Sequence, residues 1–152
     1  AALRGLASLD GAARDTALAD FEQAWKDNAL VMDKWFAAQA STGKADTIAR
    51  LAAHPDFDLR NPNRVRSVAA AFAMQNLPAF HAPDGSGYRV VEDIILKADT
   101  VNPALGARLL TAFEQWRVLE PKARAEAEAS LRRLQAADLS KNSADIVSRA
   151  LG

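Results

Sequence analysis

Apolar residues recur at three- and four-residue intervals along nearly the whole chain, and no segment sustains strand-like alternation. Helices are therefore expected throughout. A short opening helix is expected over residues 1–8, then a turn at Asp10-Gly11 and a second helix to Trp25. Asp27-Asn28 breaks the pattern before a third helix over residues 29–40. Leu30, Val31, Met32, Trp35 and Phe36 surround much of that helix, as expected of one packed between neighbours. Ser41-Thr42-Gly43 precedes a fourth helix over residues 44–53, which His54-Pro55 terminates because a residue before proline avoids the α region.

Asn61-Pro62 starts the next helix, with Asn61 as N-cap and Pro62 as first helical residue, and the pattern runs to Gln75. Residues 76–87 read as a long loop rich in Pro and Gly, and residues 88–99 as a helix. Asn102-Pro103 repeats the Asn-Pro start and leads a helix to about Trp116, and Glu120-Pro121 starts another. That helix carries Ala123, Ala127, Leu131 and Leu134 as a buried stripe, with Glu128 and Arg132 paired at i,i+4 on its outer face. Ser140 is expected to cap a final helix ending at Gly152.

Helices of about 10–17 residues joined by short turns imply antiparallel neighbours. About nine of them in tandem suggest stacked hairpins in the manner of a HEAT or armadillo solenoid. No repeat is strict enough to fix a period. The expected fold is all-α, an irregular superhelix of antiparallel helical hairpins or a compact α-bundle, in one domain over residues 1–152.

Composition narrows the function more than the fold. Lys plus Arg and Asp plus Glu both number 19, so neither a basic excess for nucleic acid nor a polybasic membrane anchor is present. Cysteine is absent, which removes a disulfide framework and a thiol nucleophile and is compatible with the cytoplasm. No apolar run approaches the roughly 18 residues of a transmembrane helix, and no signal-peptide pattern opens the chain. The chain begins at Ala1 within a helical pattern and without an initiator Met, and reads as a fragment of a larger protein.

No catalytic constellation is visible. A catalytic zinc site needs three protein ligands, and the two histidines, His54 and His81, stand 27 residues apart without an H-E-x-x-H. His81, Asp84 and Ser86 contain the residue types of a triad. Crowded into one loop, they form a turn into the next helix more simply than they form a catalytic relay. Trp25, Trp35, Phe36, Phe72, Phe113 and Trp116 fall on apolar faces and are expected in the core.

Arginines are the unexplained residues. Arg64 and Arg66 stand in or beside a helix first turn, where the dipole disfavours cations. Two positions apart, they point about 200° away from each other. One reading pairs one of them with Asp56 or Asp58 just upstream. The other points one at a carboxylate ligand in a neighbouring cavity, which the guanidinium fork suits. Arg108 lies beside Gly106 and Ala107, at the edge of the stripe made by Leu105, Leu109, Phe113 and Trp116, and allows the same two readings.

Four stretches together resemble a known family: Asn28-Ala29-Leu30-Val31-Met32-Asp33-Lys34-Trp35-Phe36, Asn61 through Ser67, Ala79-Phe80-His81-Ala82-Pro83-Asp84-Gly85-Ser86-Gly87-Tyr88, and Asn102-Pro103 with Arg108. In their order and spacing they are similar to the C-terminal helical domain of bacterial aminopeptidase N, a zinc-dependent alanyl aminopeptidase of the gluzincin metallopeptidases. The likeness runs from about Ala13 to the end of the chain. Pro83 stands where relatives are expected to carry an acidic residue.

The resemblance implies a non-catalytic domain of a peptide hydrolase. Zinc and every catalytic residue would lie in a separate catalytic domain of the same polypeptide, with none on this chain. The domain would pack over that partner, enclose the active-site chamber and control peptide entry. It further implies Asn61, Asn63, Arg64, Arg66 and Arg108 as substrate-channel or domain-contact residues, with Arg66 and Arg108 foremost. Peptides are the expected substrates and the cytoplasm the expected location. The alternative is a stand-alone helical-repeat scaffold that binds partner proteins.

Overall fold

The computed structural model describes Leu3, Gly5, Leu6 and residues 10–152. Most of the opening helix expected over residues 1–8 lies outside the described residues. Those described fold into α1 (Ala12–Trp25), α2 (Ala29–Ala40), α3 (Ala45–Ala52), α4 (Pro62–Gln75), α5 (Leu77–Phe80), α6 (Ser86–Val101), α7 (Pro103–Leu109), α8 (Pro121–Ala136) and α9 (Lys141–Leu151). Two 3-10 turns, Leu110–Phe113 and Trp116–Val118, join α7 to α8, and no strand occurs among the described residues.

Helices pack on near neighbours in sequence: α1 on α2, α2 on α4, α6 on α7 and α8, and α8 on α9. This local stacking is the expected all-α superhelix of helical hairpins. The core is continuous from Met32, Trp35 and Phe36 through Phe72, Phe80 and Tyr88 to Phe113, Leu131 and Val147.

Local chemistry sets most boundaries. Asn28 Oδ1 accepts from Val31 N at 3.1 Å, Asn61 Oδ1 from Asn63 N and Arg64 N at 3.1 and 3.3 Å, and Asn102 Oδ1 from Leu105 N at 3.2 Å. Each satisfies amide donors that a helix start leaves without partners. Glu120 caps α8 in the same way, accepting from Lys122 N and Ala123 N.

Four expectations change. The helix expected to reach Trp116 gives way to 3-10 turns after Leu109. Leu110, Phe113 and Trp116 are all buried, and their three-residue spacing matches the 3-10 period. The loop over residues 76–87 contains α5, which buries Phe80, and α6 starts at Ser86 because Asp84 Oδ1 accepts from its amide at 2.9 Å. Ser140 precedes α9, but its side chain does not cap that helix; its hydroxyl donates to buried Asp99 at 2.7 Å. Trp25 and Leu30 are 45% and 73% exposed, respectively, because they lie on the outward faces of α1 and α2.

One close approach requires glycine. A Cβ on Gly87 would collide with the backbone carbonyls of Ala79 and Phe80, so the start of α6 lies directly on α5. That contact brings His81 and Tyr88 together.

Candidate functional site

The first turn of α4 sends its two arginines to different places. Arg64 turns inward: its Nε donates to Asp33 Oδ1 at 2.6 Å and its Nη1 to the Asp56 carbonyl at 2.6 Å. Its guanidinium also covers the Phe36 ring, 4.8 Å from the centroid. The side chain is 7% exposed, so this arginine ties α4 to α2 and to the loop before α4. Neither upstream carboxylate is its partner. Asp58 pairs with Arg60 at 3.1 Å, and hydrogen bonds from Arg60 hold the Asp58 carboxyl below its usual range.

Arg66 points the other way. Among the described residues its one side-chain partner is neutral: Nη2 donates to Asn63 Oδ1 at 2.6 Å. Arg108 is exposed, and its guanidinium has no hydrogen-bond or ion-pair partner among the described residues.

These two arginines, 42 positions apart in the chain, line one hollow of about 290 Å³ between α4 and the α7–3-10 segment. Ala69, Ala70, Ala73 and Met74 share the Arg66 face of α4 at helical spacing, and small alanine side chains leave the hollow unfilled. Among the described residues no acidic side chain lines it. Two guanidinium groups over an apolar floor suit an anion with an apolar body, because carboxylates bind the guanidinium fork by paired, charge-assisted bonds.

Of the five residues singled out in the sequence, the structure brings Arg66 and Arg108 together at the hollow. Asn63 orients Arg66, Asn61 caps α4 and Arg64 is engaged internally. The hollow's small-residue wall and Met74 were missed, although the alanines at Arg66 plus three, four and seven were a readable signal.

The triad reading is excluded by geometry. His81 Nδ1 pairs with Tyr88 OH at 2.6 Å, while Ser86 Oγ donates to Asp84 Oδ1 at 2.6 Å in a turn. Burial lowers the His81 pKa, and burial together with Glu120 and Glu126 pushes the Tyr88 phenol up to about 12. Tyr88 is the sole tyrosine, so alkaline titration of the ultraviolet tyrosinate band reports on it alone. The folded chain is expected to show no tyrosinate until the pH approaches about 12, where an unfolded chain would ionise near the ordinary value of about 10. Because the folded pKa is raised, this group's contribution to stability is complete below pH 10 and is lost as the pH rises towards 12. A band appearing near pH 10 in folded protein would contradict the buried pair.

One group has metal-ligand spacing among the described residues: Glu22, His54 and Asp56, with ligand atoms within 4.8 Å of one another. Its hydrogen bonds do not fit a metal. The Asp56 amide donates to His54 Nδ1 at 3.0 Å, so neutral His54 carries its proton on Nε2 and donates it to Glu22 Oε1 at 2.7 Å. That leaves no lone pair on the ring for an ion.

Comparison with known proteins agrees with the resemblance read from the sequence. A family model described as "Domain of unknown function (DUF3458_C) ARM repeats" matches residues 1–152. The chain is 40% identical over 151 residues to aminopeptidase N of Caulobacter vibrioides, covering 97% of this chain and 18% of that protein. It is 39% identical over 142 residues to aminopeptidase N of Haemophilus influenzae, covering 91% of this chain and 16% of that protein. A crystal structure of Legionella pneumophila aminopeptidase A in complex with aspartic acid superposes with a TM-score of 0.90 at 31% identity, covering 99% of this chain and 18% of that one. The chain thus spans under a fifth of the length of these relatives. By its full-length match and its stacked helical hairpins, the chain belongs to the DUF3458_C family of ARM-repeat domains, the helical domain it shares with aminopeptidase N.

Proposed function

We propose that this chain is the non-catalytic C-terminal domain of a zinc-dependent aminopeptidase. It packs against the catalytic domain of the same polypeptide, encloses the active-site chamber and controls the entry of peptides. Zinc and the catalytic residues belong to that other domain, and the enzyme works in the cytoplasm. Arg66 and Arg108 bind the free carboxylate at the far end of the peptide, whose N-terminal residue is removed. They act by orienting substrate with binding energy remote from the reacting bond.

The observation that carries this reading is the pair of arginines converging from separate elements on one hollow without an acidic partner. Structural arginines resemble Arg64 instead, which is buried against Asp33. The chain's place within much longer aminopeptidases favours an enzyme domain over a stand-alone scaffold.

The test is kinetic and uses the intact enzyme. Charge-assisted hydrogen bonds contribute about 1.5–3 kcal/mol, so Arg66→Ala and Arg108→Ala should each lower kcat/KM for free-acid peptides about tenfold or more. Single-residue chromogenic substrates and C-terminally amidated peptides should be nearly unaffected. Equal losses on all three substrate types, or none, would sink the carboxylate assignment.

A further inference from the structure

A second hollow, of about 380 Å³, adjoins the first and shares its wall residues Ala73, Met74, Thr111 and Ala112. Its chemistry differs. Among the described residues no Asp, Glu, Lys or Arg lines it, and its floor is the buried trio Tyr88, Phe113 and Trp116. That floor is rigidly held. Trp116 Nε1 donates to the Ala150 carbonyl at 3.0 Å, and Tyr88 is tied to His81.

The polar side chains on its lining besides the floor, His81, Thr111 and Gln115, are all uncharged when His81 is neutral. With His81 and Tyr88 both neutral, the phenol is the stronger acid and the imidazole the better acceptor, so Tyr88 donates to Nδ1 and Nε2 keeps its hydrogen. Met74 and Leu77 stand at the mouth, 58% and 52% exposed, so an apolar occupant would cover surface that water now touches.

We infer that this second hollow is a specificity subsite for an apolar side chain on the carboxylate-bearing terminal residue of the peptide. The inference rests on the carboxylate role proposed for Arg66 and Arg108. The occupant is set by complementarity along the continuous groove. Paired cations at one end select an anion, and a neutral, aromatic-floored hollow beside them selects the group on the adjoining carbon. A charged or strongly polar terminal side chain would lose its hydration there and find no ionic partner. A peptide ending in Leu or Phe meets both demands at once, whereas one ending in Asp or Ser meets only the first.

The experiment uses the intact enzyme and tetrapeptides that differ only in the last residue, each as free acid and as amide. Hydrophobic pockets discriminate by about tenfold or more per group accommodated, so kcat/KM for terminal Leu and Phe should exceed that for Ser and Asp by at least about tenfold. Leu77→Glu places a charge at the mouth on an already exposed position and should abolish this preference, bringing kcat/KM for terminal Leu and Phe down to that for Ser. Equal rates across terminal residues in wild type would overturn the subsite, and that arm depends on no variant. A preference that survives Leu77→Glu would also overturn it, by locating the selectivity on another surface. The acid-against-amide comparison is read separately: loss of that difference overturns the arginine assignment, whereas its persistence without side-chain preference overturns the subsite alone.

Discussion

Asp33→Ala is expected to destabilise this domain by about 3–5 kcal/mol, the cost of leaving a buried charge without its partner. Asp33 is the only carboxylate bonded to Arg64 among the described residues, and the guanidinium is closed in by Phe36 and the Asp56 carbonyl. Without Asp33, a cation remains at the positive end of α4 with one neutral acceptor. For a chain of this size the thermal midpoint should fall by roughly 6–20 °C at 2–4 °C per kcal/mol. The double substitution Asp33→Leu with Arg64→Met should recover most of the loss, because removing both charges removes the desolvation that the pair must offset. An unchanged midpoint in Asp33→Ala would show that Arg64 is not held as described. It would also return Arg64 to the set of groups free to meet a ligand.

Asp99→Ala should release the C-terminal helix. The Asp99 carboxylate, 3% exposed, accepts from Ser140 N at 2.6 Å, from Ser140 Oγ at 2.7 Å and from the hydroxyl of fully buried Ser143. Three donors on the chain entering α9 thus converge on one side chain of α6. Alanine keeps the Cβ that packs on Gly106, so the contact between α6 and α7 survives while the acceptors vanish. At about 1–3 kcal/mol for each donor left buried and unpaired, a total loss of about 3 kcal/mol or more is expected. Hydrogen exchange is the sharper measurement. Amides of α9 should exchange much faster, while those of α2 and α4 keep their relative protection. Protection of α9 equal to wild type would refute this anchoring. Asp99→Asn, which retains one oxygen acceptor, should fall between the two.

Legibility followed the range of the interaction. The Asn61-Pro62, Asn102-Pro103 and Glu120-Pro121 starts were readable because each cap acts on amides two or three residues away. The stripe of Ala123, Ala127, Leu131 and Leu134 was readable because one helix period defines it, and all four are buried. The end of α7 was harder. Leu105, Leu109 and Phe113 continue an α-helical stripe, while Leu110, Phe113 and Trp116 suit a 3-10 turn, and only packing decides between them.

Site residues divide in the same way. That Arg64 and Arg66 oppose each other follows from the helix angle alone. Which of them turns inward does not, because the deciding carboxylate, Asp33, lies 31 residues upstream on α2. The resemblance named Arg66 and Arg108, but the hollow they share exists only where α4 meets α7 and the 3-10 turn that follows it. Its aromatic-floored neighbour is less legible still, drawing Leu77, Tyr88 and Trp116 from α5, α6 and the second 3-10 turn.

By itself the sequence determined an all-α chain, most of its helix starts, the absence of an evident catalytic constellation and its family likeness. All of these rest on periodicity, composition and contacts within a few residues, which a linear chain displays directly. Only the tertiary structure decided that Arg64 is structural, that Arg66 and Arg108 converge, that Ser140 serves Asp99 rather than its own helix, and that two hollows adjoin. Those outcomes depend on partners 31 to 42 residues apart, whose meeting is set by how whole helices pack.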